Sequence, residues 1–138
     1  NDSKYHTFET NISCFLQIEQ ALIYKNVICL AAEQVPQDNM GEYVKLFKRD
    51  AYTTTLAPSL AIKTNKPVIY FCINSYKSSL LSISINPSNK DIYNDSKHKL
   101  SMNKDIEKLI NINPKDYSWE YKRYKKPPQG VNNPYQGI

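Results

Sequence analysis

Two uncharged apolar runs set the tightest limit on what this chain can fold into: Val27-Ile28-Cys29-Leu30-Ala31-Ala32 and Val68-Ile69-Tyr70-Phe71-Cys72-Ile73. Each has the length of a β-strand and reads as a strand buried on both faces. Strands of that kind need helices to cover them. Ahead of the first run, Phe8, Ile12, Phe15, Leu16, Ile18, Leu22 and Ile23 recur near helical spacing. Between the runs, residues 51–63 read as a helix, with Thr53, Thr54 and Thr55 as N-cap candidates and Pro58 placed where only a first turn tolerates it. Residues 43–47 fit a short strand or an ordered loop. After the second run, Leu81, Ile83 and Ile85 alternate with Ser82 and Ser84, the pattern of a half-buried strand paired nearby. Residues 86–99 predict a polar loop. Residues 102–112 predict a helix with Ile106, Leu109 and Ile110 on one face, stopped by Pro114. The order helix, strand, helix, strand, strand, helix predicts an α/β fold. With no internal repeat and no linker, one domain is expected over residues 1–126, followed by a flexible tail at 127–138 rich in Pro, Gly and Asn.

Composition narrows the class further. At 138 residues with 41% hydrophobic content, the chain carries enough for a core, which argues against wholesale disorder. Its net charge of +5 suits nucleic acid, an anionic membrane surface or a phosphorylated substrate, and equally an ordinary lysine-rich surface. Cys14, Cys29 and Cys72 are odd in number and far apart; Cys29 and Cys72 lie inside the apolar runs, so buried free thiols are expected rather than a disulfide framework or a zinc site. No apolar run approaches the ~20 residues that cross a bilayer. The opening Asn1-Asp2-Ser3-Lys4 is polar, carries no signal segment and lacks a methionine, so a soluble or peripheral piece cut from something longer is expected.

Residues able to carry chemistry are few. His6 and His98 lie in polar surroundings, and five positions after each stands an asparagine, Asn11 and Asn103. Both read as exposed surface residues. No Gly-rich phosphate loop, metal-spaced cluster or nucleophile elbow is present, so neither a catalytic residue nor a cofactor or metal is expected from motif alone. Glu33-Gln34 follows the first apolar run, where strand ends line the ligand crevice of open α/β sheets; the plain alternative is a loop entry bonded to neighbouring backbone. Lys45, Lys48 and Arg49 precede the threonine-led helix and suit a phosphate, or form an exposed basic loop. Residues 117–126 mix Tyr117, Trp119, Tyr121 and Tyr124 with Lys122, Arg123, Lys125 and Lys126. Rings and cations together suit single-stranded nucleic acid or a membrane interface. They also suit rings packed on the domain with wet cations around them.

Four segments, taken in order, resemble the bacterial lipid A biosynthesis acyltransferases. Residues 28–36, Ile-Cys-Leu-Ala-Ala-Glu-Gln-Val-Pro, look like that family's apolar strand ending in Asp-Gln, with Glu33 in place of Asp. Residues 44–55 look like its Phe-Phe-Gly-Arg-Pro-Ala block followed by threonine. Residues 60–68 are similar to the helix-to-strand segment that comes next. Residues 116–125 look like its closing signature, Tyr-x-Trp leading into a basic aromatic run. The resemblance covers residues 8–126.

The resemblance implies a glycerolipid-acyltransferase-like sheet with flanking helices, here partial and incomplete without an amino-terminal half. It implies transfer of an acyl chain from acyl carrier protein to a hydroxyacyl chain of the lipid A precursor, at the cytoplasmic face of the inner membrane. A histidine followed five residues later by a carboxylate serves that family as general base; this motif, like the membrane anchor, belongs to upstream sequence. The chain is therefore expected to be a fragment, inactive alone, with a catalytically dead lipid-binding remnant or a small nucleic-acid module as rivals. Substrate contacts are expected from Glu33, Gln34, Lys48, Arg49 and Thr53, and membrane or headgroup contacts from Trp119, Lys122, Arg123 and Lys125. The implied partners are acyl carrier protein, the lipid A precursor, the membrane surface and the amino-terminal half, with no nucleic acid. Lys48 stands where the family usually has Gly, and Asp50 where it often has Pro.

Overall fold

A computed structural model describes residues 6–8, 13–77 and 80–137. Its elements run α1 (Cys14–Ile23), β1 (Gly41–Leu46), β2 (Arg49–Thr54), α2 (Leu56–Thr64), β3 (Ile69–Tyr76), β4 (Leu80–Pro87) and α3 (His98–Ile112), a mixed α/β architecture. Three short 3-10 turns, Lys90–Tyr93, Pro114–Asp116 and Trp119–Tyr121, complete it. The opening polar run and residues 9–12 of the first helical pattern lie outside the described residues.

Local chemistry explains most boundaries. α1 ends where Tyr24 donates its N–H to the Gln20 carbonyl and Lys25 turns left-handed. α2 carries Pro58 in its first turn, where no helical N–H is needed. It stops at left-handed Asn65, whose N–H closes on the Ala61 carbonyl. β1 and β2 form an antiparallel hairpin with Leu46 opposite Arg49, so the turn is the two residues Phe47 and Lys48. Both adopt positive φ, 46° and 67°, the conformation a tight hairpin demands.

The expected helix at residues 51–63 begins five residues late, because residues 51–54 belong to β2. Threonines suit a pleated strand. Thr54 still serves the helix from outside, accepting the Leu56 N–H at 3.2 Å. α3 begins four residues earlier than apolar spacing predicts, taking its start from the loop expected at 86–99; that stretch also holds the Lys90–Tyr93 turn. The buried face of α3 is partly polar, carrying His98, Ser101, Asn103 and Asp105 beside Met102, Ile106 and Ile110.

The larger core joins Leu46, Ala51, Ala61, Ile92, Met102, Ile106 and Ile110; a smaller one joins Cys14, Ile18 and Leu60. Two expectations fail. Residues 27–32 form no ladder: among the described residues each of the two sheets contains two strands only, β1 with β2 and β3 with β4. With no neighbour to pair with, the run is not buried on both faces: Val27 is 92% exposed and Cys29 is exposed rather than buried, while Ile28 and Ala32 pack half-buried against the two cores. β4 pairs with β3 as an antiparallel hairpin, yet its apolar residues face outward. Ile69, Phe71, Ile73, Leu81, Ile83 and Ile85 share one bare face, while Asn74, Ser82 and Ser84 turn inward. Six large apolar side chains, each more than half exposed, thus lie together on one surface, the kind of contiguous patch that marks an interaction site.

Candidate functional site

The last of the four family-like segments is far along the chain from the other three, and residues 117–126 draw two of those together as a strap. Along one side the strap holds the loop that follows residues 27–32. The Tyr117 hydroxyl donates to Glu33 Oε2 at 3.1 Å, and the Tyr121 hydroxyl accepts the Val35 N–H at 2.8 Å. Lys126 Nζ closes the row on the Pro36 carbonyl at 2.9 Å and Asp38 Oδ1 at 2.7 Å. Along the other side the strap grips the β1–β2 hairpin. Arg123 donates to the Tyr52 carbonyl at 2.8 Å and to Thr53 Oγ1 at 3.0 Å, and Tyr124 donates to the Leu46 carbonyl at 2.8 Å. α3 adds Asn103, whose side-chain amide donates to Thr53 Oγ1 at 3.2 Å and to the Lys45 carbonyl at 3.1 Å.

This geometry reassigns two residues. Arg123, expected at a headgroup-facing surface, is only 4% exposed and spends its guanidinium on β2. Its planar fork suits a carbonyl and a hydroxyl side by side. Thr53, expected at the substrate, is 0% exposed, with its hydroxyl donating to the Ala51 carbonyl and accepting from both Arg123 and Asn103. Sequence reasoning met Asn103 only as the residue five positions after His98 and missed its role, because an asparagine beside Ser101, Lys104 and Asp105 carries no signal of burial. His98 is buried at the start of α3, against the expectation of exposure, with Nδ1 3.3 Å from the Asn94 carbonyl oxygen; His6 is exposed.

The remaining candidates stay at the surface. Gln34 is exposed and its N–H closes a turn on Ala31. Lys48 and Arg49 are exposed at the hairpin tip, where the Glu107 carboxylate accepts the Phe47 N–H at 2.7 Å and Lys45 pairs with Asp50 at 2.8 Å. Among the described residues neither Lys48 nor Arg49 is ion-paired. The expected partnership with a helix N-terminus is not formed: β2 separates Arg49 from α2 by about 17 Å, at 3.3 Å per strand residue. Trp119 is exposed, donates to the Pro114 carbonyl at 2.7 Å and stands edge-on to Tyr117. Lys122 lies over the Tyr135 ring and Lys125 over Tyr121, at 5.9 and 4.8 Å from the centroids, so two of the aromatic faces a nucleobase would stack on are covered by the chain's own cations.

Electrostatics follow burial. Burial, reinforced by the Glu33 carboxylate, pushes the Tyr117 phenol well above its ordinary range. Burial raises Tyr124 as well, against the opposing charges of Arg123 and Arg49. It lowers Arg123, while Tyr117 and Glu33 favour the cation. Hydrogen bonds from Ser75 hold the exposed Asp116 carboxyl below the usual carboxylate range.

Two apolar hollows of about 480 and 470 Å³ lie between residues 27–33 and β3. α2 lines the first through Ala57, Leu60 and Ala61; α3 lines the second through Ile106, Leu109 and Ile110. Glu33 and Tyr117 stand at the polar end of the second. Among the described residues no group of histidine, cysteine or carboxylate side chains has the makings of a metal site, and no helix is long and apolar enough to cross a membrane.

The chain matches no curated protein sequence. The family model for bacterial lipid A biosynthesis acyltransferases matches it over residues 8–126, and this stretch holds every element described above and the strap that ties them together. With most of its length inside that match, the chain belongs to the bacterial lipid A biosynthesis acyltransferase family.

Proposed function

We propose that the chain forms the non-catalytic wall of a lipid A acyltransferase site and works with a segment that carries the general base. The reaction it serves moves an acyl chain from an acyl carrier protein thioester to a hydroxyl on an acyl chain of the lipid A precursor. The hydroxyl oxygen attacks the thioester carbonyl, its proton passes to an imidazole, the C–S bond breaks and the thiol leaves. Neither histidine here has a carboxylate five positions later, and His98 is buried against Asn94, so that imidazole is assigned to another segment. The setting we assign is the cytoplasmic face of the inner membrane.

One observation carries the reading: within a chain matched to the family over residues 8–126, the strap fixes both Glu33 and the hairpin that bears Lys48 and Arg49. Glu33 and Gln34 are assigned to the substrate crevice. The two unpaired cations are assigned to a phosphate of the lipid or of the donor's pantetheine arm. Trp119, Lys122 and Lys125 are assigned to the headgroup side, with Arg123 and Thr53 as internal supports.

Acyl transfer measured with the chain, a separately expressed amino-terminal segment of a family member, acyl carrier protein thioester and lipid A precursor tests the reading. Transfer that needs both polypeptides, and that falls about tenfold with Arg49→Ala, supports it. Transfer by the chain alone, or kinetics indifferent to Arg49→Ala, refutes it.

A further inference from the structure

No step of the acyl-transfer reading uses the outer face of the β3–β4 hairpin. Register sets Phe71 opposite Ile85 and Ile73 opposite Ile83, with Ile69 and Leu81 towards the two ends, and all six side chains are more than half exposed. The inner face is the polar one. There Asn74 donates to Ser84 Oγ at 3.4 Å, and Ser82 Oγ donates to the Asn74 carbonyl at 3.5 Å. Those bonds fix the register, so the apolar set points outward by composition.

Charge selects the cover. Residues 51–90 contain four lysines and no carboxylate. Lys63 is taken by Glu19 at 2.8 Å. Lys66 stands three residues ahead of β3, Lys77 lies in the hairpin turn, and Lys90 stands three residues beyond β4; among the described residues none of the three is ion-paired. The carboxylate that does bond to the hairpin, Asp116, already accepts from the Ser75 hydroxyl and the Asn113 amide. A second copy would bring up the same lysines and the same lack of carboxylates, and so offers them no countercharge. An anionic bilayer surface meets both needs, with acyl chains for the apolar side chains and phosphates for the cations. Tyr76 is 53% exposed beside Lys77, whose Nζ lies 5.3 Å from its ring centroid, a ring and a cation suited to headgroup depth. β3 and β4 pair with one another, so side chains alone need enter the lipid. We propose that the β3–β4 hairpin lies flat on an anionic lipid surface, its six apolar side chains among the upper acyl chains and Lys66, Lys77 and Lys90 against lipid phosphates. The inference deepens the membrane setting proposed above, adding a contact outside the strap, and its test involves no acyl transfer, so the two readings fail separately.

The test sediments the full chain with vesicles of equal parts phosphatidylglycerol and phosphatidylcholine, and with vesicles of phosphatidylcholine alone. Saturable binding to the first that is about tenfold weaker on the second supports the proposal. Lys77→Glu should weaken binding to the anionic vesicles about fivefold or more. Phe71→Ser with Ile83→Ser should weaken it about tenfold, although net charge is unchanged, which separates a seated face from adhesion by charge alone. Circular dichroism confirms that the variants fold, and the comparison of the two vesicles uses the unaltered chain and does not depend on them. Equal binding to both vesicles, binding indifferent to the paired serine substitutions, a closed dimer that excludes vesicles, or no binding at all overturns the proposal.

Discussion

The two sides of this molecule are built on opposite terms. On the strap side, Thr53, Asn103 and Arg123 are polar, buried and bonded to one another and to β1 and β2. On the slot side, where the two apolar hollows run between residues 27–33 and β3, Val27, Cys29, Leu30 and the outer face of the β3–β4 hairpin are apolar and exposed, while Ile28 and Ala32 are half-buried against the cores. What holds the strap side closed is hydrogen bonding between buried polar groups, which leaves only Asn103 Oδ1 and Arg123 Nε without a partner among these three residues, and an apolar run without a pairing partner does not bury itself. Buried polar networks specify one arrangement because breaking them is expensive, whereas unpartnered apolar faces wait for a cover.

The largest break in this contrast is expected from Arg123→Ala. It strips the Tyr52 carbonyl of its buried donor, takes another from Thr53 and leaves a cavity, lowering stability by about 3 kcal/mol in urea unfolding. A loss below about 0.5 kcal/mol would mean the strap is not integral to the fold. Tyr117→Phe comes next, at about 1 kcal/mol for the lost bond to Glu33. It carries a pH signature. A phenol whose folded pKa is raised adds stability that is complete below the unfolded value, near 10, and is lost as pH rises beyond it. The parent protein should therefore lose stability above about pH 10, and Tyr117→Phe should lose less of it.

Lys48→Gly should run the other way, raising stability by roughly 0.5–1 kcal/mol, because Lys48 holds a left-handed backbone that only glycine adopts freely. A loss on that substitution would show that the lysine side chain secures the turn. The smallest effect is expected on the bare face. Ile83→Ser, at a position 64% exposed, should change unfolding stability by less than about 0.5 kcal/mol while reducing self-association in sedimentation velocity. A large loss of stability would mean that this face is covered.

Much of the strap side was legible in order but not in role. The segments at 28–36, 44–55 and 116–125 fall in the spans read from resemblance, and the structure brings the third onto the first two. The inward turn of Arg123 was hidden, since a cation among cations and rings reads as wet until β2 offers it a carbonyl and a hydroxyl. α3 read short because His98 and Ser101 carry no apolar signal. On the slot side, composition recorded that residues 27–32 suit a strand, but pairing depends on a neighbour and leaves no trace in the run itself. Lys48 is the reverse case: the resemblance sets it where glycine is usual, and its backbone, like that of Phe47, has positive φ.

Amide hydrogen exchange on the full chain tests the two-sided architecture most directly. Amides of β1, β2 and α3 should exchange slowly, in step with global unfolding, while those of residues 27–30 exchange at nearly the rate of an unstructured peptide. Protection at residues 27–30 matching that of β2 would contradict the account, because it would mean that the apolar wall is already paired.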